Sequence, residues 1–482
     1  MAFKRLFNVK DGHYALLLGC IHFVVAVFDV LVRGVSIVID PQRSTWDWFW
    51  QSVPVELLRT DLLRSIWNLH AQPPLYNLFI GVLVKLFFPN HLPVLHATNI
   101  LLGTLLSGMI YMIIVQLLPH RLLAFGLALI IAMSPSIFLY EAYMLYSLLC
   151  AFLVVLNVFC LSWYNTTKST GALYGFIGSL TILVLTRSLY YVLFLLVALI
   201  FISFLIKPEN RRRALIISSV ICAIAFGWCI KNYLTYGFFG TSSWYGMGLW
   251  NIAAYGYTHD ELRSLADDGV LDPMVVAVGS FSVPSMYQPY GFNKSSSEDL
   301  LSKDDMRNVN IPDISRVYGN NANRLIMQQP LRYAQSVYEA YRIFCRPSSR
   351  FKHLPFNLAK IEPHEAFYAV ILQGRTLMSQ GATDYGSFLF FLLPTALMVY
   401  MIQLLLRLKA GDSPGAIIRS DAIMVWCFFL IAYVTLLACA AEFGEQDRFK
   451  FDVEQIMWIF IPVVFFRLLQ HVVTYARRRL NR

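Results

Sequence analysis

Apolar runs of about twenty residues, recurring from one end of the chain to the other, limit its fold more than any other feature. A helix needs ~20 such residues to cross a ~30 Å hydrocarbon layer. The runs are continuous. They neither alternate as in a strand nor form a one-sided stripe as on a surface helix. Of 482 residues, 57% are hydrophobic and 14% charged, against about 25% charged in ordinary soluble domains. The sequence therefore predicts an all-α polytopic membrane protein with bilayer lipid as its main surroundings. In such a chain the net charge of +10 speaks for topology and against nucleic acid as a partner. Lys and Arg at loop edges set which side faces the cytoplasm.

Lys4, Arg5 and Lys10 precede the first run, about 13–39, and place the N-terminus in the cytoplasm. That run is too long for a signal-peptide core and lacks a small-residue cleavage site. Further spans are predicted at about 92–118, 122–140 and 144–164. The run 172–206 is too long for one helix and is split in two at Arg187. Spans at about 214–230, 386–406, 421–440 and 454–472 complete the count. With Lys207 to Arg213 and Arg477 to Arg479 inside, about ten spans and two cytoplasmic termini satisfy every positive cluster. The expected setting is a plasma membrane, the inner one in a bacterium. Residues 1–231 then form an N-terminal membrane module with a first outer loop at 40–91. Residues 232–385 form an outer domain of mixed structure, and 386–482 the C-terminal helices. Within the first outer loop, Leu75 to Phe88 is apolar but too short to span. It is predicted as an interfacial or re-entrant helix opened by Pro73-Pro74. Seven of the eight cysteines lie in apolar runs. They show no metal-ligand spacing and are expected to be packing residues.

Projected onto that topology, the unusual polar residues collect on the outer side. Asp40, Asp47, Glu56, Asp61, His70 and Gln72 lie in the first outer loop. Glu141 marks the second outer turn, Arg187 the third, and Lys231 follows the seventh span. Glu442, Glu445, Asp447, Arg448 and Lys450 fall in the last outer loop. Charges beside a bilayer are costly and usually mark a pathway or a site. A carboxylate there suits general-base work on an acceptor, and Arg or Lys suits a phosphate. Taken singly, each residue has a plainer reading. Arg187 fits a side chain snorkelling from a helix end, Glu141 a turn cap, and His70 a hydrogen-bonded core histidine. There is no GxxxxGK[ST] loop, HExxH or GxSxG, so the expected substrate is already attached to the membrane.

Three stretches carry a family resemblance. Asp47, then Glu56-Leu-Leu, then His70-Ala-Gln-Pro-Pro-Leu75 is similar to an acidic residue, a Glu/Arg-Leu-Leu and a His-Pro-Pro-Leu. Ile230-Lys-Asn-Tyr-Leu-Thr-Tyr-Gly-Phe-Phe to Gly246 is similar to an Arg-Asn-Tyr…Gly…Phe stretch. Glu445 to Glu454 is similar to Glu…Arg-Tyr-Arg…Glu-Pro. In this order they resemble the GT-C superfamily of polytopic glycosyltransferases, above all protein O-mannosyltransferases and the aminoarabinose transferase of lipid A. Trp48 stands where some members have a second acidic residue, and Ala-Gln separates His70 from Pro73.

The resemblance implies a glycosyltransferase that moves a sugar from a polyprenyl phosphate to an acceptor hydroxyl on a glycan, lipid or protein. Asp47 would be the base, with Asp40 the alternative. His70 would assist at the phosphate or order the loop. Arg187, Lys231, Arg448 and Lys450 would hold the donor phosphate, and Glu141, Gln72 and Glu445 would also face substrate. The lipid phosphate is a good leaving group, so no cofactor is expected and a divalent metal is not obligatory. Arg187→Ala would then weaken donor use more than folding. A polysaccharide polymerase or ligase is one rival. A transporter is the other, and it would show charges within spans and broken helices.

Overall fold

The computed structural model describes residues 9–37, 46, 51–206, 208–282, 284–292, 310–371 and 387–480. Asp40 and Asp47, the two expected bases, lie outside the described residues. The described chain is helical, without a strand. Its first part comprises α1 (Val9–Leu31), α2 (Val55–Thr60), α3 (Leu62–Trp67), α4 (Pro74–Phe87), α5 (His91–Leu117), α6 (Arg121–Ala132) and α7 (Pro135–Glu141). Then come α8 (Ser147–Thr167), α9 (Thr170–Val184), α10 (Leu193–Leu205) and α11 (Pro208–Tyr236). Among the described residues seven helices are long and apolar enough to cross a membrane, or eight if the bent pair α6–α7 is one span. The chain is thus a multi-pass membrane protein. The two halves of the run 172–206 are the shorter α9 and α10, of 15 and 13 residues. They separate around Arg187, as the interruption predicts.

The predicted short helix of the first loop is α4, with Pro74 in its first turn. There the missing N–H costs nothing, because a first-turn N–H has no partner within the helix. The polar segment holds α12 (Tyr245–Ala254), α13 (His259–Asp267), α14 (Pro273–Ala277), α15 (Ile311–Gln328), α16 (Pro330–Phe344), α17 (Pro355–Leu358) and α18 (Glu362–Ile371). The mixed structure expected for 232–385 is therefore corrected. Among the described residues that segment is helix and turn, and α11 carries the preceding span on to Tyr236. A Thr258/Glu261 capping box opens α13, the reciprocal pairing that satisfies two first-turn donors. Three long helices close the chain: α19 (Leu389–Lys409), α20 (Pro414–Ala440) and α21 (Gln446–Leu480).

α5 and α8 are the centre of the bundle. α1 and α6 pack on α5, α9 and α21 on α8, and α20 on α21. Asn157 of α8 ties this centre together within the apolar region. It donates to Phe176 O at 2.8 Å and accepts from Trp426 Nε1 of α20 at 2.6 Å. Such interhelical bonds replace the hydrophobic drive that is missing in lipid.

Pro135 separates α6 from α7. It has no N–H, and its ring disfavours helix at the preceding residue, so α6 and α7 meet at 48°. The carbonyls left open at the break are met from other helices. His22 Nδ1 reaches Ala132 O at 3.1 Å, His364 Nε2 reaches Met133 O at 2.8 Å, and Tyr368 donates to Ile130 O at 3.0 Å. Broken backbone at membrane depth persists only where it is satisfied in this way.

Candidate functional site

Burying an arginine demands an anion, and Arg187 shows which one. It sits in the turn between α9 and α10 with 1% of its side chain exposed, paired through Nη1 to Asp452 Oδ1. Tyr190 donates to the other oxygen of Asp452 at 3.2 Å. The loop before α21 is shorter than expected. α21 begins at Gln446, so Asp447, Arg448, Lys450 and Asp452 lie on its first turns. About one turn before Asp452, Arg448 pairs with Glu445 at 2.6 Å, and Glu445 also meets Lys352 at 3.0 Å.

The two guanidinium groups share aromatic neighbours. Their central carbons lie 5.4 and 5.8 Å from the ring of Tyr146, and 4.7 and 5.5 Å from that of Phe449. Arg187 Nη2, Arg448 Nε and the Tyr140 hydroxyl are buried and have no hydrogen-bond partner among the described residues. A buried donor left unpaired costs about 1–3 kcal/mol. Donors on two buried cations, kept away from water, suit an anion with several acceptor oxygens.

The loop carboxylates around this pair differ in charge. Burial alone would raise Glu445, but Arg448 and Lys352 overcome it and hold the carboxyl at about 2. At Glu442 burial outweighs the influence of Arg448 and pushes the carboxyl up to about 7. It accepts from Asn251 Nδ2 at 3.0 Å, with α12 so close that a Cβ on Gly248 would lie 2.6 Å from Glu442 Oε2. The folded state thus keeps a proton that the unfolded chain releases at ~4.5. Stability is expected to fall by up to about 3 kcal/mol as pH rises from ~4.5 to ~7, and then to level off. Glu442→Gln should flatten this slope in unfolding measured across that range. An unchanged slope would place the titration elsewhere.

His70, Gln72 and Lys231 form a second group. His70 Nδ1 lies 3.1 Å from Ser243 Oγ, and its ring rests on Tyr236 with centroids 4.5 Å apart. Burial, with Lys231 nearby, lowers His70 to about 3, so the imidazole is neutral at neutral pH. Lys231 Nζ donates to Leu69 O at 3.1 Å and to Asn232 Oδ1 at 3.1 Å, with its ammonium 4.4 Å from the Trp228 ring centre. Gln72 is 5% exposed, and its Oε1 has no partner among the described residues. These contacts fasten the loop before α4 to the end of α11. The bond of His70 to Ser243 is part of that fastening. The bond from Leu75 N to Leu185 O, 2.9 Å, links this group to the Arg187 turn.

Glu141 points the other way, into α1. Its Oε1 lies 2.6 Å from His22 Nε2. Because His22 Nδ1 meets a carbonyl, that nitrogen carries hydrogen, so a further proton is shared between Nε2 and Glu141. Gly103 makes the room, since a Cβ there would lie 1.9 Å from Glu141 Oε1. Asp29, 1% exposed, accepts from Arg33 at 2.7 Å, and its Oδ2 has no partner among the described residues. Lys450 also turns away from the arginines, to Glu454 at 3.3 Å and to Arg346 O.

Of the residues expected to bind substrate, the structure brings together Arg187, Arg448 and Glu445. His70, Gln72 and Lys231 gather separately, and Glu141 and Lys450 each face another neighbour. Asp452, Tyr190, Tyr140 and Tyr146 belong to the arginine cluster and were not singled out in the sequence. The polar spacing Arg448, Lys450, Asp452, Glu454 inside one apolar run was the available signal. Among the described residues no group of three His, Cys, Asp or Glu could hold a metal ion. Comparison with family models, with curated proteins and with solved structures finds no match for this chain.

Proposed function

We propose that this protein is a GT-C-type glycosyltransferase that takes a sugar from a polyprenyl phosphate and gives it to an acceptor hydroxyl at the outer membrane face. In this reading the chain crosses ten times, α9 and α10 counting as short spans, with both termini cytoplasmic. The observation that carries it is the Arg187–Arg448 pair, two buried cations over shared aromatic rings with donors left unused. A lipid phosphate supplies acceptors for those donors. Its prenyl chain remains in the bilayer beside the bundle. Asp47 or Asp40 then acts as base, and Glu445 steadies Arg448 beside the donor phosphate.

The test is donor binding and transfer by the purified chain in nanodiscs. Arg448→Ala should weaken binding of a polyprenyl-phosphate sugar about 10–100-fold, the worth of one charged hydrogen bond. Arg448→Lys should recover part of it, because a point charge lacks the planar fork. Unchanged donor affinity in both variants would remove the phosphate from this site.

A transporter is the second reading, and specific observations favour it: the bent span α6–α7 and the proton-sharing His22–Glu141 pair within the bundle. Both features are expected of ion-coupled carriers. Proteoliposomes separate the two. Movement of a lipid-linked sugar across the bilayer without a transferred product would favour the carrier.

A further inference from the structure

The proton held between His22 and Glu141 has two further titratable groups beside it. Asp29 lies seven residues after His22, two turns along the same face of α1 and ~10 Å nearer the end of that helix. It is 1% exposed, its Oδ1 accepts from Arg33, and its Oδ2 has no partner among the described residues. His364 of α18 is half-buried. Its ring and that of His22 flank the same Phe138, with centroids 5.6 and 4.6 Å from it. The charge of Asp29 acts on both histidines. We propose that His364, Asp29, His22 and Glu141 form one proton-binding site within the bundle, entered through His364. The assignment rests on neither glycosyl transfer nor carriage.

The ligand follows from what these groups still offer. The break at Pro135 frees carbonyls that could hold a metal ion, but Ala132 O and Met133 O are taken by the two imidazoles and Ile130 O by Tyr368. Arg33 already sets a cation beside Asp29. A metal ion, which needs several ligands, therefore finds too few, and an anion would meet two carboxylates. Asp29 Oδ2 and one imidazole nitrogen remain. His364 Nε2 carries the hydrogen given to Met133 O, so Nδ1 is the nitrogen with the lone pair. A proton there makes an imidazolium that Asp29 favours, and its charge acts on the His22–Glu141 pair. The charges on neighbouring elements are paired with one another. Glu365, next to His364, meets Arg350 at 3.4 Å, and Glu454, bonded to Ser136 of α7, meets Lys450 at 3.3 Å. Arg121 of α6 meets Asp11 at the opposite end of α1. On α5, Asn99 donates to Glu141 O at 3.0 Å, and His96 lies one turn before it.

The experiment is nitrogen-15 NMR of the histidine side chains, on the full chain in nanodiscs, from about pH 8 down to about pH 4. Burial holds His364 below its ordinary value, against the bond to Met133 O and the charge of Asp29. His364 should gain its proton as pH falls, and the His22 signal should move at the same midpoint. Asp29→Asn removes the anion that favours the imidazolium. It should lower the His364 midpoint by about one pH unit, a tenfold loss of proton affinity. His364→Gln, whose amide can still donate to Met133 O, should abolish the response of His22 at that midpoint. It serves alone if Asp29→Asn does not fold. His96→Gln, outside the four groups, should change neither signal's titration. A His22 signal that stays still while His364 titrates would overturn the proposal. So would an unmoved His364 midpoint in folded Asp29→Asn, or a His22 response that survives His364→Gln or is lost in His96→Gln.

Discussion

Replacing Arg187 by alanine is expected to destabilise the folded protein by about 3–5 kcal/mol, the usual cost of stranding one member of a buried ion pair. Asp452 is fully buried, and Arg187 is its charge partner. Without Arg187, the Tyr190 hydroxyl is the remaining hydrogen-bond donor to that carboxylate among the described residues. The effect on folding thus comes before any effect on a donor, the reverse of the sequence expectation for Arg187→Ala. A second variant separates the two roles. Arg187→Met combined with Asp452→Leu removes both charges at similar volume, and such replacements are often neutral or stabilising. The double variant should therefore unfold near the wild-type denaturant concentration yet bind a polyprenyl-phosphate sugar poorly. Two outcomes would count against this account. One is Arg187→Ala as stable as wild type, which would mean Asp452 does not need the pair. The other is full donor affinity in the double variant, which would confine Arg187 to holding α21 against the turn before α10.

The contrast between Arg187 and Asp452 also shows what the sequence disclosed. A cation interrupting an apolar run is conspicuous, because the interruption is local. Its partner is 265 residues away, and no periodicity connects them. The long helices are legible from run length, whereas the bend at Pro135 falls inside a run that the sequence presents as one span, about 122–140. The start of α21 was placed too late. Asp447 to Glu454 reads as a polar loop in sequence, yet these residues are helical, with Arg448 paired to Glu445, Lys450 to Glu454 and Asp452 to Arg187. Glu141 and Lys450 illustrate the remaining gap. Both were correctly seen as unusual, but which way a helix turns its charged face depends on packing. Glu141 meets His22 and Lys450 meets Glu454, whereas Arg448 keeps a donor unused among the described residues.

Asp47→Asn should slow transfer about 10²–10⁴-fold, the range that general-base assistance supplies, with protein abundance and donor binding little changed. Asp47 lies among Trp46, Trp48, Phe49 and Trp50, side chains that favour the membrane interface. Trp46 is buried and donates to Val53 O at 2.8 Å, while Val53 N in turn donates to Asn77 of α4 at 2.8 Å. The residue next to Asp47 is therefore pinned to the first turn of α4. From that helix start, the chain contact Leu75 N to Leu185 O leads to the Arg187 turn. On the assignment of the base to Asp47, Asp40→Asn is expected to be mild. Asp29 is the control within the bundle. Asp29→Asn keeps the shape of a side chain already bonded to Arg33, and its main effect should be on stability. Transfer and donor binding by the three purified variants decide among them. A dead Asp40→Asn beside an active Asp47→Asn would shift the base to Asp40. A dead Asp29→Asn with normal unfolding would move it to the end of α1. Full activity in all three would remove the carboxylate base, and with it the glycosyltransferase reading of this loop.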